Sequence, residues 1–148
     1  MQTMVEQNKV NSAIAPYKAV LIIDDDDVDT FINQKILANA NFSANTYAKN
    51  SVTTALSLLR SMPEADLPDL ILLDINMPIL NGFDFLNAFN TLHHTITSRC
   101  RIVVLSSSMH DEEIRSITSN KYVEGFVNKP LDLNKLQTIL DKNVERTA

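Results

Sequence analysis

"AVLIIDDDDVDTFINQKIL", residues 19–37, carries the reading that decides the fold. Its first five residues are apolar without any polar alternation, the pattern of a strand covered on both faces. Asp24, Asp25, Asp26 and Asp27 follow, with Asp29 two places on. Val28, Phe31, Ile32 and Ile36 then recur at helical spacing, as the apolar face of a helix. The stretch is therefore strand, acidic turn, helix. Like charges packed together at the end of a buried strand repel one another, so the rest of the chain must explain them.

The same unit repeats. "LILL" at 70–73 and "IVVL" at 102–105 read as two more doubly buried strands, and "FSANTYA" at 42–48 and "EGFVN" at 124–128 as weaker ones. Helical periodicity intervenes in Val52, Ala55, Leu56 and Leu59, in Phe83, Leu86, Phe89 and Leu92, and in Ile114 and Ile117. It closes the chain in Leu133, Leu136, Leu140 and Val144. Five strand-then-helix units predict a parallel α/β sheet with right-handed crossovers and helices on both faces. That length of chain suits an open doubly wound sheet, where function gathers at the carboxyl ends of the strands.

With 148 residues the chain is about one domain, read as a polar leader over 1–16 and a folded unit over 17–148. The formal charge of −5 and the lack of a basic run give no ground for nucleic-acid or anionic-membrane binding. Cys100 is the single cysteine, which removes a disulfide framework and a cysteine-rich zinc site; beside a strand it reads as a structural thiol. The first residues lack signal-peptide order, and no apolar run approaches the ~20 residues of a membrane span, so a cytoplasmic protein is expected. Gly82 and Gly125 are the only glycines, too few for a phosphate-binding loop or a dinucleotide fingerprint. An EF-hand started at Asp25 would need Gly at Thr30 and Glu at Ile36, and fails. His93 and His94 read as surface residues.

Five residues end the strands: Asp24 and Asp25 after "AVLII", Asp74 after "LILL", Ser106 after "IVVL" and Lys129 after "GFVN". The predicted topology brings them to one sheet edge. Three carboxylates there cannot all stay ionised without a shared cation. An oxygen-only donor set without His or Cys suits Mg²⁺, completed by water and phosphate oxygens. Lys129 and Ser106 would face an incoming phosphoryl group with a cation and a hydroxyl, and Asp74 is the natural oxygen nucleophile.

"VLIIDD", "LILLDINMPILNGFDFL", "VVLSSS" and "GFVNKP" together closely resemble the receiver domain of bacterial two-component response regulators, over roughly residues 17–145. The resemblance implies a flavodoxin-like five-stranded sheet of order 2-1-3-4-5 and a phosphorylation-activated switch fed by a sensor histidine kinase or phosphotransfer protein. It makes Asp74 the phosphoacceptor, Asp24 and Asp25 the metal-binding acidic pair, and Asn76 the residue whose main-chain carbonyl completes the Mg²⁺ shell. Ser106 matches the hydroxyl residue that bonds the phosphoryl group, Lys129 the lysine that pairs with it, and Phe126 the aromatic whose rotamer reports the state. A cis bond before Pro130 is implied, and Asn76 and Ser108 occupy positions tied to hydrolysis. Such a domain catalyses its own phosphotransfer and dephosphorylation without being a conventional enzyme. Its output would pass to an unknown downstream protein through the face of the fourth helix, fifth strand and fifth helix, where Arg115, Tyr122 and Lys135 are candidate contacts.

Two other readings compete. "IIDDDDV" also resembles the Asp-x-Asp motif of haloacid-dehalogenase-type phosphatases, although the late acidic pair such enzymes need is absent after Lys129 and "LILLDINMP" goes unused. A receiver-like interaction module that is never phosphorylated is the other, and it would ordinarily lack part of the acidic set or the lysine. Within the acidic run, Asp27 and Asp29 read as solvated helix-start residues. Asp26 falls between the two roles.

Overall fold

A computed structural model describes residues 14–107 and 110–147; the expected leader up to residue 13, and Ser108, lie outside the described residues. Strands β1 (Tyr17–Ile23), β2 (Ser43–Lys49), β3 (Leu70–Asp74), β4 (Arg101–Ser106) and β5 (Val123–Asn128) form one sheet in the order β2-β1-β3-β4-β5. Every neighbouring pair is parallel. The helices are α1 (Asp27–Asn39), α2 (Val52–Ser61), α3 (Gly82–Phe89), α4 (His94–Thr97), α5 (Asp111–Thr118) and α6 (Leu133–Thr147). Glu64–Asp66 adds a short 3₁₀ turn. This is the expected doubly wound fold, with one short helix more than the periodicity suggested: four residues, α4, are too few to show a period.

Successive residues of β1, β3 and β4 point to opposite sides, and both sides are apolar. Leu21, Ile23, Ile71, Leu73, Ile102 and Val104 join a core with Ala55 and Leu59 of α2 and Phe85 and Phe89 of α3. Val20, Ile22, Leu70, Leu72, Val103 and Leu105 join the other, with Leu37 of α1 and Leu136 and Ile139 of α6. Each such side chain contributes about 1.5–3 kcal/mol on burial, which is why the strands read as unbroken apolar runs. At the opposite end of the sheet from the acidic residues, the Asp69 carboxylate accepts from the N–H groups of Lys18 and Ala19, at 3.0 and 2.9 Å. Cys100 is buried, and burial pushes its thiol up to about 12, away from the thiolate form a nucleophile needs.

Gly82 sets the entry to α3. A Cβ there would lie 2.5 Å from Ile75 Cδ1 and 2.7 Å from Ile75 Cα, and the Gly82 N–H donates to the Ile75 carbonyl at 3.0 Å. Only a residue without a side chain lets the helix start this close to the end of β3. Asn81 caps the helix in a reciprocal box with Asp84.

Two expected helix faces are corrected in part, since Ile36 of α1 and Leu136 and Leu140 of α6 do pack against the core. Val28, Phe31 and Ile32 are exposed, at 66, 60 and 45%, and α1 instead buries Asn33 and Leu37. The reason lies at its start: the cap and an ion pair at Asp29, described below, fix a rotation that turns 29, 33 and 37 toward the sheet. Leu133 is likewise exposed, and α6 packs through Leu136 and Ile139. The side chain of Val144 lies outside the described residues.

Candidate functional site

The acidic run divides residue by residue. Asp24 follows β1 directly, is 1% exposed, and donates its N–H to the Lys49 carbonyl at 3.1 Å, prolonging the β1–β2 ladder. Its Oδ1 accepts the Asp26 N–H at 2.9 Å. Asp25 is exposed beside it. Asp26 settles its open role as the N-cap of α1, its Oδ1 accepting from the N–H groups of Val28 and Asp29 at 2.9 and 3.0 Å. Asp27 stands exposed in the first turn, as expected of a helix-start residue. Asp29 shares that first turn and is partly exposed, but it is also paired: its Oδ2 lies 3.3 Å from Lys129 Nζ.

Asp74 is the last residue of β3 and is 3% exposed. Its Oδ1 accepts the Asn76 N–H at 3.1 Å and faces Lys129 Nζ at 3.3 Å. Asn76 itself is exposed at the rim. Ser106, fully buried, ends β4 in register with Asn128 of β5. Its carbonyl accepts the Lys129 N–H at 2.8 Å, which carries Lys129 to the Asp74 edge. The Lys129–Pro130 bond is cis, as the resemblance implied. Lys129 Nζ also lies 3.4 Å from Asp24 Oδ2, so three carboxylates share one ammonium.

These charges are unequal in strength. Burial pushes the Asp74 carboxyl up to about 6, with Asp24 adding to the push and Lys129 and the Asn76 N–H opposing it. For Lys129, burial disfavours the charged form but the carboxylates of Asp74 and Asp24 outweigh it, and its pKa is raised. The site thus remains short of positive charge. Asp24, Asp25 and Asp74 each offer an oxygen, all within 4.8 Å of one another, an oxygen-only trio that fits a hard divalent cation such as Mg²⁺.

Asp24, Asp25, Asp74, Asn76, Ser106 and Lys129 therefore meet at one edge. Phe126 lies on β5 opposite Val104, half-buried against the core beneath that edge. Lys135, named as a candidate contact, donates its Nζ to the carbonyls of Asn128 and Pro130, both at 2.7 Å, tying the β5–α6 turn. Arg115 is exposed, and Tyr122 packs edge-on against Phe89 with ring centroids 5.3 Å apart. The residue that sequence reasoning missed is Asp29. Its signal was the 29, 33, 37 spacing, hidden behind the more apolar 28, 31, 32 set.

Large apolar side chains are exposed on α1 and on the loop after β3, the latter lining a hollow with Asp25. Besides Val28, Phe31 and Ile32, the loop after β3 exposes Leu80 and fully exposes Ile79, whose φ of 67° is rare for a β-branched residue. Among the described residues no helix is long and apolar enough to cross a membrane.

Residues 20–141 match the family model of the response regulator receiver domain. The autoinducer 1 sensor kinase/phosphatase LuxN of Vibrio campbellii is 32% identical over 133 residues, covering 87% of this chain and 14% of that protein. A response regulatory protein of Staphylococcus epidermidis is 29% identical over 130 residues, 88% of this chain and 47% of its own. The chain thus spans less than half the length of these curated relatives. Among solved structures, a two-component response regulator from Cytophaga hutchinsonii superposes with a TM-score of 0.80 at 27% identity, covering 87% of this chain and 98% of that one. A receiver protein from Dyadobacter fermentans gives 0.76 at 29% identity, covering 84 and 96%.

Proposed function

Given that this chain belongs to the response regulator receiver-domain family, we propose that Asp74 accepts a phosphoryl group from the phosphohistidine of a sensor kinase or phosphotransfer protein, and that residues 17–148 act as a signalling switch. The observation that carries the reading is the buried Asp74 carboxylate 3.3 Å from the Lys129 ammonium, within the oxygen trio it forms with Asp24 and Asp25.

An Asp74 oxygen attacks the phosphorus; the new O–P bond forms as the P–N bond breaks, and its electron pair returns to the imidazole nitrogen of the donor. With its pKa near 6, Asp74 is mostly ionised at neutral pH and ready to attack. Mg²⁺, held by Asp24, Asp25, Asp74 and the Asn76 carbonyl, supplies when bound positive charge to the transferring oxygens. Lys129 brings its ammonium to the same oxygens, and the Ser106 hydroxyl donates to one of them. Attack of water on the same phosphorus reverses the modification. Ser106 and Phe126 relay the change to α5, β5 and α6, where exposed Arg115 lies on the face offered to a downstream protein.

A protein donor suits the surroundings: exposed Ile79 and Leu80 beside Asp25, with Phe31 and Ile32 exposed on α1, give a macromolecule something to cover that a small phosphodonor does not need. The cytoplasm is the compartment that fits such a donor. The phosphatase reading asks Asp26 to face the cleft as the second acid of an Asp-x-Asp pair, and Asp26 is instead engaged as the α1 cap. Incubation with Mg²⁺ and acetyl phosphate tests the proposal: intact mass should show one hydroxylamine-labile phosphate, lost in Asp74→Asn. No adduct on the wild type refutes it and leaves the non-phosphorylated module.

A further inference from the structure

We infer that Asp29 is a positioning residue that holds the Lys129 ammonium in the unphosphorylated protein and yields it to the incoming phosphoryl group. This rests on the phosphoacceptor reading of Asp74. An ammonium has three donors, and Lys129 Nζ has three carboxylates around it, Asp24, Asp29 and Asp74, at 3.4, 3.3 and 3.3 Å. All three distances exceed the roughly 2.7–2.9 Å of a committed charge-assisted hydrogen bond, so the ammonium is shared rather than fixed on one partner.

The three partners differ in what else they can do. Asp24 and Asp74 belong to the oxygen trio that fits a cation; Asp29 does not. Asp24 and Asp74 are buried, whereas the Asp29 side chain is 41% exposed. On losing Lys129, Asp29 can turn to water, and the positive end of the α1 dipole still favours its charge. It is therefore the partner that can be given up at least cost. A phosphoryl group on Asp74 adds negative charge beside the ammonium and draws it toward Asp74. Asp29 pulls against that movement, so the unmodified carboxylate opposes occupancy of the phosphoryl position. Release would leave the first turn of α1, beside exposed Val28 and Phe31, without its tie to the β5 end.

Beryllofluoride with Mg²⁺, a mimic of the phosphoryl group, tests this when its binding is followed by ¹⁹F NMR. Asp29→Asn should bind about three- to five-fold more tightly than wild type, the scale of a partly exposed ion pair. Asp27→Asn removes the same charge from the same helix turn without contacting Lys129, and should differ by less than about two-fold. Asp29→Glu, which keeps the charge, should stay near wild type. In the metal-free protein the ¹H and ¹⁵N resonances of the Lys129 ammonium should move in Asp29→Asn and not in Asp27→Asn. Equal effects of Asp27→Asn and Asp29→Asn, no tightening in Asp29→Asn, or unmoved ammonium resonances would each overturn the inference. A wild type that takes no beryllofluoride would refute the phosphoacceptor reading and this inference together. Dispersed amide spectra establish that each variant is folded.

Discussion

Replacing Asp74 by Asn should stabilise the metal-free protein, by an amount that grows with pH. The Asp74 carboxyl has its pKa raised from 3.8 to about 6 in the folded chain, by burial first and by Asp24 second. A folded value above the unfolded one means that the native state holds the proton more tightly. The group's contribution is then most favourable below about pH 4 and is lost as pH rises through the folded value near 6. At about 1.4 kcal/mol for each tenfold change in proton affinity, the complete loss is at most about 3 kcal/mol. Asn has no charge to bury and is spared it. Urea unfolding in EDTA, followed by circular dichroism, should therefore show the gap between variant and wild type widening by roughly 2–3 kcal/mol from about pH 4 to 7.5. A pH-independent offset from the exchanged side chain does not affect that widening. A gap that stays constant or narrows would refute the reasoning, since it would mean that Lys129 repays the burial of the carboxylate in full. Saturating Mg²⁺ should narrow the gap at neutral pH, adding about 2.7 kcal/mol to the wild type at a hundredfold excess over Kd and less to the variant.

Three other substitutions separate the parts of the structure. Gly82→Ala puts a methyl group 2.7 Å from Ile75 Cα, and should cost about 1–3 kcal/mol in urea unfolding. Asp26→Ala removes the α1 cap and should cost about 1 kcal/mol while leaving the yield of phosphate adduct from acetyl phosphate unchanged; a complete loss of the adduct would revive a catalytic role for Asp26. Phe31→Lys, at a 60% exposed position, should leave stability within about 0.5 kcal/mol and acetyl-phosphate labelling intact, but slow transfer from a phosphorylated protein donor, measured by quench-flow.

The strands were legible because helices on both faces force β1, β3 and β4 into unbroken apolar runs that ordinary surface sequence does not produce. Given those strands, their end residues had to share an edge, and Asp24, Asp74, Ser106 and Lys129 could be brought together from positions far apart in the chain. Their strand order came from the resemblance, because periodicity carries no information about which strand neighbours which. The rotation of α1 was not legible. Its solvent face holds Val28, Phe31 and Ile32 while its sheet face holds Asp29, Asn33 and Leu37, so hydrophobicity points the wrong way and takes Asp29 with it. Lys135 escaped for another reason: its bonds to the Asn128 and Pro130 carbonyls depend on the path of the β5–α6 turn, which side-chain character does not encode.

The hydrogen bond from the Lys129 N–H to the Ser106 carbonyl bears on time as well as place. Both residues ride on the paired ends of β4 and β5, so their functional groups can answer a new charge by side-chain rearrangement while the ladder beneath them stays closed. Motions of that kind finish in well under a second, even where they draw a helix with them on the microsecond-to-millisecond scale. The acyl phosphate on Asp74 would then be the slowest element of the device. On the proposed reading, how long the protein remembers a signal would become a question of when water reaches one phosphorus atom, and the fold would serve as a fast reporter of that bond.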